Sequence, residues 1–380
     1  MKVVCGIVLL FLAVGTPAQD CRSCSDQGLR ECKKHRGLLA QEREVEFCSV
    51  AAACRTCAGA LAADCKRCDD PATQGELESR QALVAAWVAA RRARIDEHAT
   101  RGEILHARTA HVDLAFSIRP LMVGKKKLDS HRLMHLYLER IEALHARFCQ
   151  VFGIEDSVFS TRLQLFVFHD RDDHRVIAPR EAGGGGEALG MKLMGNSAVY
   201  SMWHDRRLMR SDEELFRNLV HNVTHLLVSN MPPQAWLGNR GSGWLDEGIS
   251  HWFEDALTGK CTTFCYEEVG QGLQHSFGAG EWRVPLRKLL EAGKLEPFAA
   301  VSLLNTDQMN GRQRMQSFAY VDFLLQEHGG EALRRLVEQR KADLPLRNAL
   351  RDATGLTVLN VDPKLADWMR AHYPLERGDE

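Results

Sequence analysis

The sequence predicts an α+β fold that is mostly helical, carries a small β-sheet and is preceded by a small cysteine-rich module. Three patterns lead to this. Eight of the twelve cysteines fall between residues 21 and 68, too dense a cluster for ordinary core usage. Apolar residues alternate with period two at Val112 to Ile118 and at Leu163 to Phe168, as half-buried strands require. Much of the remaining chain repeats its apolar residues at helical spacing.

At 380 residues the chain has room for one large domain with appendages or for two domains. Its formal net charge is −1, so no bulk electrostatic attraction to nucleic acid or to an anionic membrane is expected. Lys2, the apolar run Val3 to Val14 and the small residues around Thr16-Pro17-Ala18 read as a signal peptide over residues 1–18. The mature protein is therefore expected to be secreted or held in the periplasm or cell envelope, with no membrane span after cleavage.

Residues 19–70 form the cysteine-rich module. Cys21-x2-Cys24-x7-Cys32-x2-His35 is followed by Cys54-x2-Cys57-x7-Cys65-x2-Cys68, the same spacing twice, with His35 in the register of Cys68. Paired Cys-x-x-Cys elements build tetrahedral zinc sites. The competing reading is a disulfide framework, which a location outside the cytoplasm favours. Histidine in a cysteine register argues for metal, because imidazole ligates zinc and cannot enter a disulfide. Two zinc ions are expected here, leaving Cys48, Cys149, Cys261 and Cys265 over, of which Cys261 and Cys265 are close enough in sequence to be bridged. The repeat resembles the cysteine-rich zinc domain of DnaJ-type co-chaperones over residues 21 to 68, with Gly28 and Gly59 matching its glycines.

Residues 71–111 read as a helical connector, since 75 to 108 is rich in Ala, Arg, Glu and Leu. The strand at Val112 to Ile118 comes next. Leu128 to Phe152 then reads as a long amphipathic helix on Leu133, Leu136, Leu138, Ile141, Leu144 and Phe148. The strand at Leu163 to Phe168 follows. Gly183 to Gly186 reads as a surface loop and not a phosphate cradle, because no Lys-Ser/Thr follows it. Val199 and Tyr200 end a third strand.

Ser211 and Glu214 have the spacing of a capping box, and the helix they open carries a broad apolar stripe from Leu215 to Leu227. Pro232 and Pro233 lie beyond its end. On it, His221 and His225 stand four residues apart, so both imidazoles leave one face a turn apart. Two satisfied core histidines would explain that spacing equally well.

The stretch Trp244-Leu245-Asp246-Glu247-Gly248, with Glu254 further on, tips the balance. Here the chain resembles the gluzincin zinc metallopeptidases and the bacterial peptidase MA-like proteins, over residues 112 to 375 of a domain expected at 112–376. The likeness implies a third zinc ligand at Glu247, a supporting carboxylate at Glu254 and one zinc ion. His251, one turn after Glu247, is a further candidate to orient a ligand or approach the metal. Oxyanion stabilisation by a downstream side chain is expected at Tyr320, with His275 as second choice. Gln316 to Val337 reads as a helix broken at Gly329-Gly330.

One position departs from the family. The residue after the first histidine, where the general-base glutamate belongs, is Asn222. An amide cannot shuttle a proton, a contribution of roughly 10²–10⁴ in rate. The expectation is a zinc-binding pseudopeptidase with a protein or peptide ligand. The alternatives are an active peptidase using Asp246 or Glu254 as base, a metal-free core, and a non-enzymatic protein-binding module built on the N-terminal repeat.

Overall fold

A computed structural model describes residues 29–33, 47–64, 71–99, 101–263 and 280–376. The expected signal peptide, and Cys21, Cys24, His35, Cys65, Cys68, Cys265 and His275, lie outside the described residues.

In chain order the first elements are β1 (Leu29–Glu31), β2 (Phe47–Cys48), the short α1 (Ser49–Ala52), β3 (Ala62–Asp64) and α2 (Pro71–Ile95). Next come β4 (Leu105–Arg108), β5 (Val112–Phe116), β6 (Leu121–Val123), β7 (Lys126–Leu128) and α3 (Ser130–Phe152). Then follow β8 (Leu163–Phe168), α4 (Arg171–Glu181), β9 (Gly190–Leu193) and β10 (Val199–Trp203). The C-terminal part is helical: α5 (Asp212–Asn230), α6 (Gly243–Thr258), α7 (Arg283–Glu291), α8 (Phe298–Val301), α9 (Gly311–Lys341), α10 (Leu346–Thr354) and α11 (Val361–His372). The fold is mixed helix and sheet with helix dominant, as the patterning predicts. No helix among the described residues is long and apolar enough to cross a membrane.

Six strands form one mixed sheet in the order β2-β4-β5-β8-β10-β9. β5, β8 and β10 run parallel, and β2, β4 and β9 pair antiparallel at the two edges. Leu163, Leu165 and Val167 of β8 face the main core together with Leu133, Leu138 and Ile141 of α3. Phe166 and Phe168 face the other way, into a second core with Ile95, Ile177 and Val199. Helices thus cover both faces.

Three sequence expectations change in detail. All five residues of β5 are buried, so its period-two pattern does not mark a solvated face. Its one charged residue, Asp113, is neutralised by Arg108 at 2.6 and 2.9 Å and accepts from Gln164 at 2.8 Å. Residues 105–108, expected to be helical, are strand: Thr109 N–H donates to the Val112 carbonyl at 2.9 Å, turning the chain so that β4 can pair with β5. The sheet also recruits Phe47 and Cys48 through β4. It therefore draws on residues assigned to the cysteine module and the connector, and the boundary at 112 does not separate structural layers.

Two helix starts and one break are where local chemistry puts them. The Asp129 side chain caps α3 by accepting from Arg132 N–H at 2.8 Å. Ser211 and Glu214 form both halves of the capping box on α5. The break expected at Gly329-Gly330 is a kink within α9 at Gly329, whose φ of 82° favours glycine.

Candidate metal centre

Helix α5 presents His221 and His225, and α6, packed across it, presents Asp246, Glu247, His251 and Glu254. Gly248 permits this arrangement. A Cβ there would lie 2.5 Å from the Ser317 carbonyl of α9, so only glycine lets α6 sit against α9 closely enough to aim Glu247 inward.

The Nε2 atoms of His221 and His225 stand 3.1 Å apart, and Glu247 oxygens lie 3.8 and 3.6 Å from them. Tetrahedral zinc, with bonds of ~2.0–2.2 Å to nitrogen and oxygen, separates its donor atoms by ~3.3–3.5 Å. The three groups need shift only a few tenths of an ångström to share one ion. Each imidazole is held from behind. His221 Nδ1 is 3.4 Å from Glu254, and His225 Nδ1 is 3.1 Å from Asp246. Carboxylates at these distances stand where small ring rotations would let them accept from Nδ1 and so set the tautomer that leaves Nε2 free to ligate. Glu254 is itself anchored, accepting from Thr262 and Thr263 N–H at 2.7 and 2.9 Å. Trp236 donates to Asp246 at 2.8 Å. His251 faces the same cluster, with Nε2 3.5 Å from Glu247 and Nδ1 3.2 Å from Glu254.

Electrostatics fit a cation as well. Burial, reinforced by His251, pushes His221 down to about 3, so it is neutral, the form that ligates. Burial alone would raise the Glu247 carboxyl, but Arg314 and the imidazoles together hold it well below the usual range. Glu254 is likewise held down against the effect of its burial by His221 and His251. Arg314, fully buried, places Nη1 2.7 Å from Glu247. Three fully buried carboxylates thus share the cluster, with Arg314 against Glu247 and the buried Lys341 within electrostatic reach of Asp246, and a dication would add to this balance at Glu247. Neither Glu247 oxygen accepts a well-directed hydrogen bond among the described residues, as expected of a metal ligand.

Other expected roles are not supported. Asn222 is turned into a hydrogen-bonded chain: Lys192 Nζ donates to its Oδ1 at 2.7 Å, and its Nδ2 donates to the Asn218 carbonyl at 2.8 Å. Asp246 accepts from Trp236, and Glu254 pairs with His251 Nδ1 and accepts from Thr262 and Thr263 N–H, so both lie behind the imidazoles and neither is placed as a substitute base. Tyr320 belongs to the core between Trp244 and Phe298. Its hydroxyl donates to Asp362 at 3.0 Å and accepts from Gln316 at 2.7 Å, which corrects the oxyanion role expected for it. No local pattern marks Arg314 or Lys192, because they reach Glu247 and Asn222 from elements remote in sequence.

In the cysteine module, Cys32 is brought together with Cys54 and Cys57, joining one copy of the repeat to the other while β1 pairs with β3. Cys32 and Cys54 sulfurs stand 4.0 Å apart, a ligand separation and not a bond. Against the effect of burial, backbone donors from Thr56 and Cys57 together with the Cys57 and Cys32 thiols draw the Cys54 thiol down to about 7, while burial pushes the neighbouring Cys57 up to about 12. This chain therefore has several His, Cys and Glu groups able to hold a metal ion. It matches no protein-family profile, and no curated protein matches its sequence.

Proposed function

We propose that this chain is a secreted or cell-envelope, zinc-binding, metallopeptidase-like protein that holds its metal at His221, His225 and Glu247 and is impaired in hydrolysis. The observation that carries the reading is the convergence of two Nε2 atoms and a carboxylate, each imidazole backed by its own carboxylate. Bound zinc would supply an acidified water and a Lewis acid. The protein's own groups do the rest: Glu254 and Asp246 orient the imidazoles, Glu247 and Arg314 balance the charge, and Asn222 accepts no proton. The N-terminal cysteine repeat is read as a second zinc-binding region, and a protein or peptide is the expected ligand.

Zinc content tests the reading. Purified full-length chain should lose one zinc per molecule on His221→Ala/His225→Ala substitution. An unchanged count removes the metal from this cluster. Hydrolysis is tested with unfolded casein on wild type and on Asn222→Glu/Lys192→Gln. The second change is needed because Lys192 would otherwise pair with the new carboxylate and lower its basicity. No turnover by wild type and a gain in the variant support an impaired peptidase. Turnover by wild type at a rate matching the variant would show an intact one.

One observation favours a second reading, a metal-free core in which Arg314 is the counterion: the guanidinium already lies 2.7 Å from Glu247 in a fully buried cluster. The same zinc count separates the two.

A further inference from the structure

A third set of donors joins Cys48, a cysteine outside the repeat, to two histidines of α3. Cys48, on the edge strand β2, points its sulfur at His131 Nε2, 3.5 Å away, and at His135 Nε2, 3.6 Å away. The two Nε2 atoms are 2.9 Å apart. His131 and His135 are four residues apart in the first turns of α3, so their rings share a face, with centroids 4.6 Å apart. Cys48 is held there by backbone pairing with Ala107 of β4, and Ser49 accepts from His106 N–H at 2.9 Å just beyond it. Cys48 and His135 are 2% and 1% exposed.

The dimensions are those of a metal site. Tetrahedral zinc with bonds of ~2.3 Å to sulfur and ~2.0–2.1 Å to nitrogen sets sulfur and nitrogen ~3.5 Å apart and the nitrogens ~3.3 Å apart. Both sulfur separations match, and the nitrogens need to open by about 0.4 Å. Hydrogen bonding explains the triangle less well. Each Nε2 offers a single in-plane lone pair or N–H, which can point along one edge of the triangle but not two. One cation at the centre satisfies all three atoms.

We propose that Cys48, His131 and His135 bind a zinc ion, a site separate from the one at His221, His225 and Glu247. The thiolate and two imidazoles form a soft, borderline donor set suited to zinc and not to magnesium or calcium. His131 borders a cleft of about 460 Å³ that also contains Arg101, Glu103, Asp129, Asp170 and Asp173. The remaining coordination position therefore belongs on that side. The site also has a mechanical consequence. β2 is only two residues long, too short for its ladder alone to hold it, and the metal would clip it to α3 across 83 residues of chain.

The test uses the full-length chain and counts zinc by elemental analysis, with cobalt replacement as a spectroscopic readout. Cys48→Ser and His131→Asn/His135→Asn should each lose one metal per chain relative to wild type. With cobalt, each should also lose part of the sulfur-to-metal charge-transfer absorption. The full wild-type count in both variants overturns the proposal. Cys48→Asp guards against simple misfolding. It keeps an anionic donor, so it should retain the wild-type zinc count and show a weaker charge-transfer band. A Cys48→Asp protein that folds but has an unchanged band relative to wild type equally overturns the proposal.

Discussion

Arg314 offers the sharpest probe of the 221–247 cluster, because its guanidinium and a dication neutralise the same carboxylate. In metal-free protein, Arg314→Met leaves Glu247 buried beside Asp246 and Glu254 without its counterion. A unit charge pair at ~4 Å and an effective dielectric of 20 is worth ~4 kcal/mol, and breaking a buried pair costs about 3–5 kcal/mol. At about 2 °C per kcal/mol for a chain of this size, Tm in chelator should fall by roughly 6–10 °C. With zinc bound, Glu247 keeps a cation. The loss then reduces to the hydrogen bonds from Arg314 to the Met309 and Thr306 carbonyls, at 3.3 and 2.6 Å, about 1–2 kcal/mol. The difference of about 2–3 kcal/mol must reappear as tighter zinc binding, since the two are linked in one cycle. The variant should therefore bind zinc about 30- to 150-fold more tightly. Calorimetric melts with zinc and with chelator, plus competition against a chromophoric chelator, measure both sides. Equal destabilisation under both conditions, with unchanged zinc affinity, would refute a shared role for Glu247.

Three further predictions are independent of Arg314. Glu254→Gln weakens the hold on His221 Nδ1 and should lower zinc affinity by about 10- to 100-fold, read by the same chelator competition; an unchanged affinity would show that Glu254 does not support the site. Tyr320→Phe removes a hydroxyl bonded to Asp362 and Gln316 and should cost about 1–2 kcal/mol of stability while leaving zinc affinity untouched. A change in zinc affinity in that variant, with stability intact, would return Tyr320 to the metal site. His111 is raised from 6.5 to about 9, chiefly by its hydrogen bond to Glu142 at 2.5 Å, with Asp156 adding at 2.7 Å. The folded state holds this proton more tightly, so the stabilisation is complete below pH 6.5 and lost as pH rises through about 9. Urea unfolding should show about 1–2 kcal/mol lost across that window after allowance for solvent screening. His111→Asn should flatten this slope; a slope unchanged in the variant assigns it to other groups.

The metal cluster was legible in the sequence where its parts are local. His221 and His225 needed only helical periodicity, and the capping box located their helix to the residue. Glu247 and Glu254 came from the family resemblance of one short stretch, and the packing reason for Gly248 is visible only against α9. What stayed hidden depends on tertiary neighbours. Arg314 and Lys192 carry no local signal, and Tyr320 was misjudged because a buried tyrosine looks the same in sequence whether its hydroxyl meets a substrate or Asp362. His131 and His135 are different. Their spacing repeats that of His221 and His225, but that helix was read for its apolar face alone, and Cys48 was counted as a leftover of the repeat. Composition also misled at residues 105–108, where Ala, Leu and Arg suggested helix and pairing to β5 imposed strand, an override that short segments commonly undergo.

The meaning of Asn222 changes once its surroundings are known. Read from sequence, it is a single missing base at an otherwise intact site. In the fold, its Oδ1 accepts from Lys192 and its Nδ2 donates to Asn218, which in turn accepts from Tyr200 at 2.8 Å. A carboxylate placed there would meet an ammonium ion before it met a metal-bound water. His221, His225 and Glu247 are also at most 1% exposed, whereas hydrolysis needs an extended substrate beside the metal. Loss of the base, capture of its position by Lys192 and closure of the cluster all oppose turnover, and each acts on a different step. Metal binding needs none of the three. The donors and the carboxylates around them are therefore consistent with the proposed role of holding a metal ion, which the zinc count and the casein assay test together.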